Sequence, residues 1–571
     1  MNLNKNLHWF IYIIFLLSCA RQSSPTGGPK DTIPPVLERA IPPNEAINFN
    51  EKEIQLIFSE NVILNAPKEQ LIITPTIGKE YKIVNRKNSI ILTFEDPLQD
   101  STTYTFNFRE SVQDITEKNP VRNLQLAYST GTYIDSLSIE GTIYDMLKGK
   151  EIKDAAVALH VENDTFNILE HPAVYFTRTD EKGKFKISHL KPDNYYLYAF
   201  EDKNRNLVVN SRTESYGFRS EYQYLLENIK DISVGLVRLD AGPLKLTSAR
   251  PYNTYFNIRT TKNLRTFQLT ATDSTDITYT FGEDQANIRL YKTTDKDSLQ
   301  IHLLAIDSID NAIDTTLYAK FLSREVTPEP FEGRIQSASI FAHRGEMEAT
   351  LLFTKPVKEI NFDSLFFQLD SLTKVNFTKE DVTWHALSKQ LTIRKKLDRA
   401  LFETAEPNGQ QRGGMRRAQP PKPEQPASEK KTPVVNEFVL ATAAFISIEN
   451  DSSKRLTQKV KPLNEQDLSI INIEIKTGEK SFIVELIDNS YKILRQIINK
   501  PKVRFEDLMP ADYQIRLIID SNQNGRWDPG NYHKNLEAEK IIYYRAADGS
   551  TIIKGVKANW DIGAGEMFIT Y

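Results

Sequence analysis

The sequence predicts an all-β protein made of tandem β-sandwich domains, on three observations. Short runs alternate apolar and polar residues with a period of two: Ile54, Leu56 and Phe58 form one such set, and Tyr104, Phe106 and Phe108 alternate with Thr105 and Asn107 in another. Turn-forming words separate the runs. Asp180-Glu181-Lys182-Gly183 supplies a tight turn with a left-handed position before Phe185 and Ile187, and Pro192 to Asn194 make the next turn before Tyr195, Leu197 and Ala199 share a strand face. The third observation is an internal repeat at an offset of 318 residues. Leu190, Pro192 and Tyr195 match Leu508, Pro510 and Tyr513. Asp202, Asn204 and Asn206 match Asp520, Asn522 and Asn524, and Phe185 and Ile187 match Val503 and Phe505, all without a gap.

The first eighteen residues read as a secretory signal. Lys5 supplies a positive start, and Trp9 to Leu17 is an unbroken apolar run, too short for the roughly 20 residues that span a bilayer. It ends at Leu16-Leu17-Ser18-Cys19, which resembles the lipobox of bacterial lipoproteins. That resemblance implies a lipid on Cys19 and anchorage to a membrane, and Ala20 in place of Asp favours the outer membrane. Cys19 is the only cysteine in 571 residues, so disulfides, zinc-thiolate sites and a cysteine nucleophile are excluded from the rest of the chain. Residues 19–32, rich in Ser, Pro and Gly, read as a tether.

Length predicts four or five domains. Residues 33–133 contain Phe58-Ser59-Glu60-Asn61-Val62, the loop Asp114 to Pro120 and the closing Tyr128-Ser129-Thr130-Gly131. These words resemble a bacterial immunoglobulin-like domain of the surface-layer type, which implies a β-sandwich. Residues 137–240, through the words around Gly183 and Pro192, resemble the transthyretin-like regulatory domain that trails some carboxypeptidases, a domain without a catalytic role. The repeat places a second such sandwich at 470–571. A weaker repeat pairs Leu56 to Val62 with Leu351 to Val357 and suggests another immunoglobulin-like unit at 334–460, interrupted by a basic, Pro-rich segment at 403–436 too polar to repay its ordering entropy. Residues 241–333 read as a further sandwich. Pro25 to Asp31, Trp527 to Tyr532 and Ala558 to Trp560 make the whole arrangement resemble a group of lipoproteins seen in bacteria of the Bacteroidetes type, from which no activity carries over.

Composition and motifs point away from most chemistry. A net charge of −3 with 26% charged residues gives no nucleic-acid surface. The eight His residues form no HExxH or other helical zinc spacing, and no nucleophile elbow or phosphate-cradling loop occurs. The one motif with metal chemistry is Asp520 to Asp528. Asp520, Asn522, Asn524 and Asp528 stand at positions 1, 3, 5 and 9 with Gly525 at 6, the spacing by which alternate oxygens of a tight loop converge on calcium. Position 12 is Asn531, where a bidentate Glu is needed, so the expected binding is weak; otherwise the loop is a set of Asx turns. The first copy, Asp202, Asn204 and Asn206, has Leu207 in place of the glycine. No other cofactor is implied. The resulting expectation is a non-enzymatic outer-membrane lipoprotein that scaffolds or presents an interaction surface to an envelope protein or glycan. A carbohydrate-binding lipoprotein, using Trp527, Tyr532 or Trp560, is the alternative, and a hydrolase with a carboxylate pair is the third reading.

Overall fold

The computed structural model describes residues 31–77, 80–163, 165–322, 326–402 and 434–571. The signal segment, Cys19 and residues 403–433 of the Pro-rich insertion lie outside these ranges. Strand Val434–Leu440 takes up 434–436, which composition had assigned to that insertion, because it is needed as the partner of Leu365–Asp370.

The protein is all-β: paired sheets follow one another along the chain, each pair closed over its own apolar core. In the first sandwich one sheet runs in the order Leu37–Ile41, Glu53–Phe58, Ser89–Phe94, Tyr81–Arg86, and the facing sheet is Ile72–Thr74, Thr103–Asn107, Gln125–Ser129. Ile54, Leu56, Phe58, Tyr104, Phe106 and Phe108 all point into the core between them, as period-two alternation requires, although Thr103 and Thr105 on the other face of strand Thr103–Asn107 are buried as well. The buried Asp114 closes the corner by accepting the amides of Glu117 and Lys118 at 2.7 Å and the side chain of Asn119 at 2.7 Å. Burial opposes its charge, but these donors hold the carboxyl below the usual carboxylate range.

The fourth sandwich repeats this strand order. Gly333–Phe341, Glu346–Phe353, Gln390–Lys396 and Val382–His385 form one sheet, and Leu365–Asp370, Val434–Leu440 and Leu456–Lys459 adjoin in the other. Leu56 and Leu351 occupy the same place in the same strand of each. The third sandwich sets Leu246–Tyr252, Tyr255–Thr260, Asn287–Tyr291 and Thr278–Phe281 against Leu264–Ala271, Ser298–Asp307 and Ala312–Lys320.

The second and fifth sandwiches also share one topology. In the second, Leu137–Asp145 lies between Lys184–Leu190, antiparallel, and Ile229–Leu236, parallel; in the fifth, Ser469–Lys476 lies between Lys502–Leu508 and the parallel pair Asp561–Ile562 and Phe568–Thr570. Even the irregularity recurs: Leu137 faces Leu190 and Ile139 faces Ile187, as Ser469 faces Leu508 and Ile471 faces Phe505. Tyr195, Leu197 and Ala199 enter the core, but Tyr198 and Phe200 on the opposite face are buried as well. That strand is covered on both sides.

Over Tyr198 and Phe200 the second cover is largely the second sandwich's own Ile168, Ala173, Val209 and Tyr216, with Tyr532 of the fifth at its edge. The fifth sandwich folds back onto the second: Ile483, Ile487, Ile518, Ile541 and Tyr543, on the outer face of its sheet, are buried with Met146. Arg516 donates to the carbonyl of Leu147 at 3.4 Å, and the Tyr543 hydroxyl donates to the same carbonyl. The first sandwich in turn abuts the edge strand Tyr175–Arg178 of the second, with the Thr76 amide on Val174 O and the Thr74 hydroxyl on Phe176 O, both at 2.7 Å.

Candidate functional site

The two repeated Asp-x-Asn-x-Asn loops follow Asp193–Phe200 and Ala511–Ile519, at corresponding ends of the two sandwiches. Their backbones match. Arg205 and Leu207 are left-handed at φ of 57° and 59°, and Gln523 and Gly525 at 60° and 75°. Asp202 Oδ1 accepts the amides of Asn206 at 3.0 Å and Leu207 at 3.3 Å; Asp520 accepts those of Asn524 and Gly525, both at 3.0 Å. Asn204 and Asn206, like Asn522 and Asn524, accept the amide two residues on. These are Asx turns, in which the side-chain oxygens serve backbone N–H groups.

Each loop is closed by a glutamate that the sequence did not reveal. Glu214 accepts the amides of Lys203 at 3.0 Å and Asn210 at 2.9 Å, and Glu539 accepts those of Ser521 at 2.6 Å and Asp528 at 3.0 Å. The four amides correspond at the 318-residue offset, but Glu214 and Glu539 do not, because the fifth sandwich carries a longer excursion between loop and clamp. A gapless comparison cannot see the pair. Burial pushes the Glu539 carboxyl up, against the two amides, with Asp528 and Asp520 raising it further.

The loops differ in how the first aspartate is neutralised. Asp202 Oδ2 meets the guanidinium of Arg178 at 2.6 Å, with both side chains buried. At the corresponding place the fifth sandwich has Ile498, and Asp520 Oδ2 accepts the hydroxyl of Ser481 at 3.0 Å. Asp528 takes the side-chain amides of Asn522 and Asn524 and the guanidinium of Arg526 at 2.9 Å. Asn531, at position 12, turns away: its amide donates to Ile309 O at 2.7 Å in the third sandwich. Among the described residues no group of three His, Cys, Asp or Glu side chains is placed to hold a metal ion.

Asp520, Asn522, Asn524 and Asp528 therefore lie together, with their oxygens turned to N–H donors. A calcium titration of the full chain by calorimetry is expected to give a dissociation constant of about 10⁻³ M or weaker, at the feeble end of extracellular modules. Submicromolar binding abolished by Asp520→Ala would overturn that expectation.

The aromatic candidates are dispersed. Trp527 packs in the contact between the fifth and second sandwiches and donates its indole N–H to Glu539 O at 2.9 Å, while Trp560 is half-exposed under Lys557. Tyr532 accepts the Ile168 amide at 3.1 Å across that contact. It borders an open groove of about 580 Å³, where Phe166, Tyr196 and Tyr222 are joined by Asn163 and Glu170. His160 stacks on Phe166 at 3.7 Å, and burial pushes its imidazole pKa down. Strand Asp193–Phe200 carries Tyr196 on the face away from the sandwich core, which is how the groove acquires a ring.

Residues 31–130 match the family model of a bacterial Ig-like domain. The first sandwich is a bacterial Ig-like domain. No curated protein matches the chain. Solved structures similar to it include the Bacillus anthracis TIE protein, at 8% identity over 99% of this chain and 79% of that one, with a TM-score of 0.12. BcpA, the major pilin subunit of Bacillus cereus, is similar at 10% identity over 76% of this chain and 97% of its own, with a TM-score of 0.13. The surface-layer protein SbsC is similar at 9% identity over 93% and 68%, with a TM-score of 0.13. Scores this low carry no argument about arrangement or function.

Proposed function

We propose that the chain is a non-enzymatic lipoprotein of the bacterial cell envelope, held at the outer membrane by a lipid on Cys19, in which linked sandwiches form a scaffold for an envelope partner. The observation that supports this reading is the use the chain makes of its sandwich surfaces. The sheet face Ile483, Ile487 and Ile518 is spent on the second sandwich, Asn531 on the third, and Thr74 and Thr76 of the first on the second. The fourth and fifth are tied by Asp507, whose carboxylate takes His343 at 2.9 Å and Arg344 at 2.8 Å. Long sheets whose loops and faces bind one another suit a load-bearing spacer.

The anchor is tested by fractionation. Cys19→Ala is expected to release the protein from membranes or leave it as unprocessed precursor, because it removes the thiol that would carry the lipid. Unchanged membrane partition of a chain processed to the same mature length, after detergent-free washing, would sink the lipid anchor. Binding of the soluble chain to a glycan array, lost on Tyr196→Ala, would instead favour the carbohydrate-binding reading, with the Phe166–Tyr196–Tyr222 groove as its platform.

A further inference from the structure

Lys355 stands just before strand Val357–Ile360 of the fourth sandwich, and Glu449 and Asp451 just after strand Phe445–Ser447; the two strands pair with Val357 opposite Ser447. The register brings one ammonium against two carboxylates from a distant part of the chain. The Lys355 side chain is only 2% exposed. Its Nζ lies 2.8 Å from Asp451 Oδ2 and in contact with Glu449 Oε2. The other oxygens of the two acids are used differently. Asp451 Oδ1 accepts the buried Ser447 hydroxyl at 2.5 Å, whereas Glu449 Oε1 is buried with no hydrogen-bond partner.

Other buried lysines of the protein are held in another way. Lys262 pairs with Asp307 at 2.6 Å but also donates to the carbonyls of Asp240 and Gly242. Lys389 donates to the carbonyls of Phe281 and Gly282. Both are capped by acceptors that hold them in place. Lys355 has carboxylates alone, one polarised by a hydroxyl donor and one with a free buried oxygen, while its own side chain is withdrawn from water.

We propose that Lys355 and Asp451 condense to an intramolecular amide, with Glu449 as the proton carrier. The Lys355 ammonium gives one proton to Glu449, and the neutral amine attacks Asp451 Cγ, forming the C–N bond. Ser447 holds Oδ1, which remains as the amide oxygen. A second amine proton and the one on Glu449 pass to Oδ2, the C–O bond breaks, and one water leaves. Glu449 returns to its ionised form, so atoms and charge balance without any co-reactant. Fixing the amine on the acyl carbon replaces a bimolecular encounter by a positioned one, worth effective molarities of about 10⁵–10⁸ M. The bond would close a covalent loop over the 96-residue interval from Lys355 to Asp451, which contains the Pro-rich insertion. The proposal stands apart from the scaffold reading, since it concerns a bond within one sandwich.

The test is peptide mapping by tandem mass spectrometry on the full chain, expressed without export so that Cys19 is unmodified. A peptide joining Lys355 to Asp451, one water lighter than the sum of its parts, is the expected result. Lys355→Arg keeps the charge and the ion pairs but should abolish the cross-link. Glu449→Gln should lower its yield at least tenfold. As a second readout, a protease site engineered into 403–433 should yield fragments that stay joined on a denaturing gel in the parent and separate in Lys355→Arg. Fragments that separate in the parent, with Lys355 recovered as a free amine, would overturn the proposal. A cross-link to Glu449, or full yield in Glu449→Gln, would overturn the assignment of roles.

Discussion

Asp202→Ala is expected to destabilise the second sandwich by about 3–5 kcal/mol, the cost of stranding a buried charge. Arg178 would keep the Asp154 carbonyl at 3.1 Å and, at 4.0 Å, the Asp154 carboxylate, but lose its 2.6 Å partner, in a position where its side chain is 4% exposed. The same replacement at Asp520 is the internal control. It removes acceptors from the amides of Asn524 and Gly525 and the hydroxyl of Ser481, but no ion pair of Asp520 is formed among the described residues, so nothing charged is left behind. That loss should be about 1–3 kcal/mol, the range for unsatisfied buried donors. Urea denaturation of both variants checks the difference. Equal losses would show that the ion pair contributes no more than the Ser481 hydroxyl does.

The comparison works because the sequence repeat became a structural repeat in detail. Leu190, Pro192 and Tyr195 could be aligned with Leu508, Pro510 and Tyr513 because strand pairing tolerates no slip where one face is buried. The strands themselves were readable for the same reason: Ile54, Leu56 and Phe58 must fall on one side. The glutamate clamps were not readable, because Glu214 and Glu539 sit beyond an excursion of different length, and a carboxylate bound to backbone amides has no local signature. Lys355 showed only as part of a polar corner before Val357; its partners lie past the insertion, and nothing in Thr354-Lys355-Pro356 announces that the side chain is buried. The outer faces held a signal that went unused. Tyr195 to Phe200 and Ile515 to Ile519 are apolar or aromatic on both faces, except Arg516, and a strand without alternation is one covered twice. In the second sandwich that further cover is largely its own Ile168, Ala173 and Val209, and in the fifth it is the second sandwich around Met146. Alternation told where the cores are, and its failure told where a strand is covered a second time.

The contact around Met146 can be broken without harming either partner. Leu517 and Ile519 face the core of the fifth sandwich, while Ile518 points outward to Met146 and Tyr543. Ile518→Asp is therefore expected to undock the fifth sandwich from the second rather than unfold it. The substitution forfeits about 1.5–3 kcal/mol of apolar burial and sets a carboxylate in an apolar contact, where it lacks a partner. Arg516 does not rescue it, because Glu485 already holds that guanidinium at 2.6 Å. Ile483, Ile487, Ile541 and Tyr543 would then surround the new charge against Met146, and the polar ties around them include Tyr532 with the Ile168 amide at 3.1 Å, Ser220 on Glu537 at 2.8 Å, Asn535 on Ser220 O at 2.9 Å, and Arg219 with Glu537 at 3.1 Å. A partly exposed pair such as Arg219 with Glu537 contributes about 0–1 kcal/mol, too little to offset an unpaired carboxylate in the middle of that apolar contact. Small-angle scattering should then show a larger radius of gyration with secondary structure unchanged by circular dichroism. Leu517→Ala, one residue away on the other face, should do the opposite, costing about 2–5 kcal/mol in the sandwich itself while the docked shape persists in the folded fraction. If Ile518→Asp left the scattering curve untouched, the fifth sandwich would be held by the chain on either side of it, and the contact around Met146 would be a consequence of the fold rather than a cause.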